Sequence, residues 1–314
     1  MPNVYPSGEQ IEIRAGDQRA VVVEVGAGLR SYAVSDYDLL DGYDAEEMAG
    51  SGRGQVLIPW PNRIQDGAYE FAGTRHQLPL NEPAARNAIH GLVRWASWST
   101  GEREADRVLL EYTLHPQPGY PFSLALSIEY SLSEGGLRVT STAINVGREA
   151  CPYGSGMHPY LTLGTETVDT LLLHAPGRTV LHTDDRGIPV STAPVEGTEY
   201  DFLTARPIGG TKLDHAFTDL ERGRDGLARV ELRHPERGTT LSLWVDKSFP
   251  YLQIFTGDQL ADVDRRSVAV EPMTCPANAF RAGESVVVLE PGESATATWG
   301  LEHGKSGPLV EMTR

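Results

Sequence analysis

The sequence predicts an all-β protein, a large antiparallel β-sandwich, from three observations. Segments in which apolar and polar residues alternate recur along the chain, and a two-residue period is typical of strands buried on one face. Loops rich in turn-forming residues separate these segments, and the 314 residues include 33 glycines and 21 prolines. No amphipathic stretch persists over several helical turns, and residues 36–50 have room for one short helix at most.

The clearest strand is FSLALSIEYSL, residues 122–132. One parity of this segment is apolar, and the other is mainly serine with one alanine and one glutamate. The turn-like sequence SEGG follows, and GLRVTSTAINV, residues 136–146, then predicts the second strand of a hairpin. In chain order, the further predicted strands are QRAVVVEV, RVLLEYTL, RVELRH, TTLSLWV, YLQIFTG, SVAVEP, ESVVVLEP and SATATWGLE.

The chain shows no low-complexity linker and no internal repeat, so we expect residues 1–314 to form one β-sandwich domain. Folds of this class carry many different functions. The function therefore has to be argued from individual side chains.

The charge balance restricts the partners of the protein. The formal net charge is -16, from 43 acidic and 27 basic residues, and an acidic surface repels nucleic acid and anionic lipid. The amino-terminal sequence lacks the basic and apolar regions of a signal peptide, and no apolar run is long enough to span a membrane. We expect a cytoplasmic protein, with Cys151 and Cys275 as free thiols rather than one disulfide. Monomer and homodimer both stay open.

Several motifs of cofactor and nucleophile chemistry are absent from the sequence. It contains no P-loop, no GxGxxG in a strand–turn–helix setting and no GxSxG. It also contains no CxxC pair and no HExxH, so we expect neither a metal nor an organic cofactor. A metal site assembled from the nine dispersed histidines stays open as an alternative.

Polar side chains instead interrupt segments that otherwise resemble strand ends. Glu271 is the most informative, because both faces of its predicted strand are apolar until that residue. A carboxylate in this setting is either paired with an arginine or placed for proton transfer. The other candidates are Asn62 and Arg63 in PWPNRIQDG, His90 in NAIHGL, His158 in GSGMHPYLTLG, Asp214 in KLDHAFTDL and Gln253 in YLQIFTG. On pattern alone, a packed loop histidine or a turn-capping aspartate explains such residues equally well.

The order of these segments resembles that of the aldose 1-epimerases, or mutarotases. The motifs run NRI, G.Y.F.G, L..N, IHG, HPY, LDHAF and LQIFTG, followed by a strand that ends in glutamate, over roughly residues 50–280. The resemblance implies a supersandwich β-fold, galactose mutarotase-like, with an open sugar cleft. It also implies an enzyme, an isomerase that interconverts the α and β anomers of a free aldose without metal or organic cofactor.

Roles follow from the resemblance motif by motif. It implies that Glu271 is the general base and that His158 is the general acid. The residues implied to bind sugar hydroxyls or the ring oxygen are Asn62, Arg63, His90, Asp214 and Gln253. The HPYLTL segment departs from the HSYFNL of galactose-handling members, and NEPAARNAIHGLVRW is similar to a bacterial branch that includes sulfoquinovose mutarotase-like proteins. The sugar is therefore left open between galactose, glucose and a modified aldose.

The reaction explains why such groups are needed. A pyranose changes anomer when O1 loses a proton, the C1–O5 bond breaks and O5 gains a proton, after which the aldehyde rotates and the ring closes again. A base and an acid on either side of the anomeric centre supply these transfers, and each contributes roughly 10²–10⁴-fold. Carboxylate and imidazole titrate in suitable ranges.

Two other functions fit the same pattern. One is a sandwich that binds a carbohydrate without turnover, although such a protein needs no paired acid and base. The other is a glycoside hydrolase that uses Asp214 and Glu271, since hydrolysis needs two carboxylates that flank the bond. A phosphorylated or sulfonated sugar would need a cation, for which Arg94, Arg265 and Arg266 are candidates. Three further side chains are candidates for an apolar sugar face or for the core, namely Trp60, Trp95 and Phe280.

Overall fold

The computed structural model describes residues 4–258, 260–261 and 263–305, and strands make up most of its regular structure. In chain order the strands are β1 (Gln10–Ala15), β2 (Gln18–Val23), β3 (Leu29–Val34), β4 (Tyr37–Asp38), β5 (Val56–Leu57), β6 (Arg63–Gln65), β7 (Ala68–Phe71), β8 (Thr74–Gln77), β9 (Asn87–Ile89), β10 (Ser99–Arg103), β11 (Arg107–Leu114), β12 (Leu124–Ser133), β13 (Gly136–Asn145), β14 (Cys151–Tyr153), β15 (Gly156–Met157), β16 (Tyr160–Leu161), β17 (Leu172–His174), β18 (Gly177–Thr183), β19 (Pro189–Pro194), β20 (Arg206–Pro207), β21 (Asp214–Leu220), β22 (Ala228–Arg233), β23 (Thr239–Val245), β24 (Tyr251–Phe255), β25 (Val268–Met273), β26 (Val287–Leu289) and β27 (Ser294–Lys305). The helical segments are α1 (Ala279–Ala282) and two 3-10 turns, Gly50–Gly52 and Val168–Thr170.

Two large sheets form the sandwich. The nine-stranded sheet has the order β10-β11-β12-β13-β27-β23-β22-β17-β20, and the eight-stranded sheet has the order β19-β18-β21-β24-β25-β15-β5, with β16 beside β25. Residues of both sheets belong to one buried apolar cluster. The indole N–H of Trp299 on β27 donates to Sδ of Met157 on β15 over 3.0 Å, which joins the two sheets directly. The predicted all-β sandwich is therefore confirmed.

The hairpin predicted around SEGG is present as β12 and β13. Leu124 pairs with Asn145 and Ser133 with Gly136, and burial alternates along β12 as the parity of the sequence predicts. Residues 36–50 carry no α-helix. The four-residue α1 was not predicted, because one helical turn is too short to leave a periodic pattern.

Alternate side chains of β25 lie on opposite faces of the eight-stranded sheet. Val268 and Val270 point into the main apolar cluster between the sheets. Ala269 and Glu271 alternate with them and therefore lie on the opposite face of the eight-stranded sheet. That outer face is still buried at β25, because neighbouring loops cover it. A carboxylate is thus placed in a covered site without entering the core.

Both cysteines are buried free thiols, as predicted. Burial raises the pKa of Cys151 to about 11 and that of Cys275 to about 12, so both thiols are protonated at neutral pH. Within the part of the chain that the structure describes, no helix combines the length and the apolarity needed to cross a membrane.

Candidate active site

The outer face of the eight-stranded sheet carries a cleft of about 340 Å³, within the range of small-molecule sites. Three neighbouring strands of this sheet, β21, β24 and β25, supply its floor. Gln253 lies directly opposite Glu271, and Ala216 lies directly opposite Gln253, so their side chains share one face. The lining includes every predicted site residue, namely Asn62, Arg63, His90, His158, Asp214, Gln253 and Glu271.

Glu271 and His158 form a buried pair at the bottom of the cleft. Oε1 of Glu271 lies 3.3 Å from Nε2 of His158, and both side chains are almost fully buried. Oε2 of Glu271 and Nδ1 of His158 are buried as well, and neither has a hydrogen-bond partner among the described residues. Buried polar atoms are normally satisfied, so two such atoms in a cleft indicate a place for a polar ligand.

Burial disfavours the charge on both members of this pair. It raises the pKa of Glu271 well above the ordinary carboxyl value, and the negative charge of Asp214 raises this pKa further, while Arg63 lowers it. Burial also lowers the pKa of His158 to about 3. Burial therefore favours the protonated carboxyl of Glu271 and the neutral imidazole of His158, and the 3.3 Å separation allows a proton to pass between them.

Packing fixes the ring of His158. The ring of Tyr160 stacks against it with centroids 4.9 Å apart and planes at 19°, and the Tyr160 hydroxyl donates to the carbonyl of Ser51. Gly52 covers another side, because a Cβ there would lie 2.8 Å from Cδ2 of His158. Any side chain at residue 52 would displace the imidazole.

His90 is held by the residue that precedes β6. The main-chain N–H of Asn62 donates to Nδ1 of His90 over 3.2 Å, which leaves Nε2 to carry the proton of the neutral ring. The His90 ring meets the His158 ring edge-on, with centroids 5.5 Å apart. Burial lowers the pKa of His90 well below its ordinary value, and His158 and two arginines add to this effect. His90 is therefore a neutral N–H donor in the cleft.

Gly91 allows the chain to turn directly after His90. Its φ is +69°, and a Cβ at this residue would lie 2.0 Å from the carbonyl oxygen of Ile58. Only glycine fits this position, so the IHG motif reflects backbone geometry as well as chemistry.

Arg63 has a partner that the sequence pattern did not reveal. Its Nε lies 3.0 and 3.2 Å from the two carboxylate oxygens of Glu82, and its Nη2 lies 3.0 Å from Oε1. Glu82 lies in the loop between β8 and β9 and also lines the cleft. An acidic residue eight positions before His90 was the available signal, but nothing local pairs it with Arg63.

Gln253 connects the acidic residues of the floor. Its Nε2 donates to Oδ1 of Asp214 over 2.7 Å, and its backbone is paired with that of Glu271. Gln253 is buried, whereas Asp214 is exposed at the edge of the cleft. The amide thus holds one carboxylate oxygen of Asp214 in place.

The three candidate arginines differ in their pairing. Arg265 bonds to Asp169 and Asp258, and Arg266 bonds to Asp41. Arg94 lines the cleft, and its Nη1 donates to the neutral Oε1 of Gln55 over 3.2 Å. Among the described residues, no carboxylate lies within ion-pair distance of Arg94. Burial lowers the pKa of its guanidinium.

The three candidate aromatic residues divide between core and cleft. Trp60 and Phe280 are buried in the core, with ring centroids 5.9 Å apart. Trp95 lines the cleft and is 51% exposed. Only Trp95 is therefore positioned to face a ligand.

A larger groove of about 1110 Å³ lies beside β3 and β4, but its lining contains none of the predicted site residues.

Over residues 4–258, 260–261 and 263–305, no group of three or more His, Cys, Asp or Glu side chains is arranged to hold a metal ion.

The two-sheet antiparallel sandwich has the galactose mutarotase-like fold, and its polar cleft lies on the outer face of one sheet. Comparison with known sequences then identifies the family: residues 9–302 match the model of the aldose 1-epimerase family, and the chain belongs to it. The family implies an isomerase that acts on a sugar.

Individual proteins share sequence or fold with this chain. The chain is 38% identical to the uncharacterized protein YihR of Escherichia coli K12 over 292 residues, which cover 93% of this chain and 92% of that protein. The structure superimposes on the GalM/aldose epimerase homologue of C. elegans with a TM-score of 0.85 at 17% identity, covering 95% and 99% of the two chains. The galactose 1-epimerase of Lactobacillus acidophilus gives 0.77 at 22% identity, covering 94% of each chain. Both structures show the shared fold.

Proposed function

We propose that the protein is an aldose 1-epimerase that opens and closes the ring of a free aldose by acid–base catalysis. Glu271 is the general base and His158 is the general acid. The observation that supports this most strongly is the buried contact of 3.3 Å between the two residues, in a cleft where each keeps one unpaired polar atom.

The contact is closer than two groups on opposite sides of the anomeric centre would be. It still suits the reaction, because O1 and O5 are bonded to the same carbon and neighbouring groups can reach both. In the active form, the single proton of the pair lies on His158. The Glu271 carboxylate takes the O1 proton, the C1–O5 electrons move to O5, and the imidazolium protonates O5. Ring closure reverses each transfer, so the pair regains its starting protonation.

The resting protein favours the proton on Glu271, because burial penalises the separated charges. Sugar hydroxyls that donate to the carboxylate would favour the ionised form, and Arg63 already acts in this direction. Binding of the sugar thus prepares the base and the acid together. A protein that only binds sugar has no need for this arrangement.

The remaining cleft residues hold the sugar away from C1, so that both anomers are accepted. Nε2–H of His90 donates to the ring oxygen or to a hydroxyl beside it. Arg63 and Asn62 donate to hydroxyls, and a carboxylate oxygen of Asp214 accepts from them. Gln253 keeps Asp214 in place.

We infer in addition that the preferred aldose carries an anionic substituent away from C1. Arg94 supports this inference, because a largely covered guanidinium with only a neutral partner gains most from a charged one. Trp95 lies beside it, with the Arg94 guanidinium carbon 5.9 Å from the ring centroid, and offers an apolar surface next to the charge.

Polarimetry and NMR exchange test the proposal directly. Freshly dissolved α-glucose, α-galactose, glucuronate, galacturonate and glucose 6-phosphate are compared with and without the protein. We expect faster approach to the anomeric equilibrium for at least one sugar, and a higher kcat/KM for the anionic sugars. Sugar binding without acceleration would favour a non-catalytic carbohydrate-binding protein. Release of a new reducing end from a glycoside would favour a hydrolase.

A further inference from the structure

Glu82 holds Arg63 in one orientation. The two side chains share three hydrogen bonds of 3.0 to 3.2 Å, and both are only about one-fifth exposed. Such a fork-to-fork pair defines the plane of the guanidinium as well as its position. Nη1 of Arg63 donates instead to Oδ1 of Asn62, which is 3.4 Å away.

Asn87 bonds to Glu82 and links it to Arg186, which is distant in the sequence. Nδ2 of the fully buried Asn87 donates to Oε2 of Glu82 over 2.8 Å and to the carbonyl of Arg186 over 2.9 Å. The next residue, Gly187, lies against Arg63, since a Cβ there would be 2.8 Å from Nη1. The turn between β18 and β19 therefore fixes both members of the pair.

Two other carboxylates compete for Arg63. Asp214 and Glu271 line the same cleft, and both interact electrostatically with its guanidinium. An ion pair between Arg63 and Glu271 would occupy the lone pairs that the base needs and would remove a sugar-binding donor. A guanidinium released from Glu82 in this largely covered site would be drawn toward these charges.

We propose that Glu82 is a positioning residue: its bidentate pair holds Arg63 as a sugar-binding donor and keeps it from closing onto Glu271. This inference rests on the proposed function for its catalytic meaning. Whether Arg63 pairs with Glu82 or with Glu271 can be tested without measuring turnover.

The test is the titration of Glu271 by NMR of protein labelled with ¹³C at the glutamate carboxyls, with the signal assigned by its loss in Glu271→Gln. In Glu82→Gln, Arg63 turns to the floor of the cleft, and we expect the pKa of Glu271 to fall by about 1–3 units. Glu82→Asp keeps the charge but shortens the reach, and we expect a smaller fall. Glu70→Gln on β7 is the matched control at an exposed glutamate and should leave this pKa unchanged.

A double-mutant cycle separates the movement of Arg63 from the loss of a charge. In an Arg63→Met background, Glu82→Gln should lower the pKa of Glu271 by much less, because only the loss of the Glu82 charge then acts on it. Equal values in the wild type, Glu82→Gln and Glu82→Asp would overturn the proposal, as would a fall of the same size with and without Arg63. If no aldose were turned over, the titration would still decide the role of Glu82, so the two failures are distinguishable.

Discussion

Asn62 and His90 bind each other through reciprocal contacts. The Asn62 N–H donates to Nδ1 of His90 over 3.2 Å, and the His90 N–H donates to the Asn62 carbonyl over 2.9 Å. Both residues have a positive φ, 53° for Asn62 and 62° for His90, which is uncommon outside glycine and concentrates at functional sites. The arrangement fixes which ring nitrogen of His90 faces the cleft with a proton.

We predict that His90 is neutral, with its proton on Nε2, at neutral pH and through the range in which an ordinary histidine titrates. Burial and the neighbouring positive charges lower its pKa, so protonation is shifted below the ordinary range. Two-dimensional ¹⁵N NMR of histidine-labelled protein distinguishes the tautomers. A proton on Nδ1, or titration near the ordinary pKa of about 6.5, would contradict the predicted role as a donor.

Loss of either member of the buried pair should nearly abolish mutarotation. We expect Glu271→Gln and His158→Asn each to lower kcat by roughly 10²–10⁴-fold, because each removes one proton transfer. The double variant should be little worse than either single one, since the two residues act as a unit. Initial rates by polarimetry measure this, and circular dichroism checks the fold. The exposed His115→Asn is the control; near-full activity in Glu271→Gln or His158→Asn would refute the role assignment.

Glu271 should lower the free energy of unfolding at neutral pH, because its buried carboxyl resists ionisation. Its pKa is raised in the folded protein, so above about pH 4.5 the unfolded chain releases a proton that the folded protein retains. Stability is therefore lost progressively as the pH rises from 4.5 to the folded pKa. We expect Glu271→Gln to have a larger free energy of unfolding than the wild type at pH 7.5, with the difference shrinking toward pH 4.5. Denaturant unfolding at both values measures this; a less stable variant at pH 7.5 would disagree with the burial argument.

Arg94 should discriminate between charged and neutral sugars. A hydrogen bond to a charged group contributes about 1.5–3 kcal/mol, so Arg94→Gln should lower kcat/KM for an anionic aldose roughly 10–100-fold. The value for glucose or galactose should change little. Arg148→Gln, at an exposed position, serves as the control. Equal losses for glucose and glucuronate would assign Arg94 a structural role instead.

Chelation should have no effect on turnover. The proposed transfers use only the side chains of Glu271 and His158, and sugar binding uses hydrogen bonds. We expect unchanged mutarotation after dialysis against EDTA, measured with the best substrate of the panel. Loss of activity that added divalent metal restores would revive the metal alternative.

The seven predicted site residues illustrate how far a sequence pattern extends. All of them line one cleft, and the apolar setting of Glu271 in the sequence had marked it as the most informative of them. Their catalytic and binding roles stay predictions. The pattern did not reveal Glu82, because Glu82 lies in a loop, its partner Arg63 begins β6, and no local spacing connects them. It also offered three arginines for an anionic group, and only pairing in space separated Arg94 from the other two.

The sequence by itself predicted ten of the strands, the buried parity of β12, and the family, because these depend on the two-residue period and on motif order. The tertiary structure decided which groups meet. The approach of His158 to Glu271 depends on the pairing of β15 and β16 with β25, and the covering of both residues depends on surrounding loops. Burial then sets their protonation, since the penalty on a charge depends on what surrounds it in space and not on its neighbours along the chain.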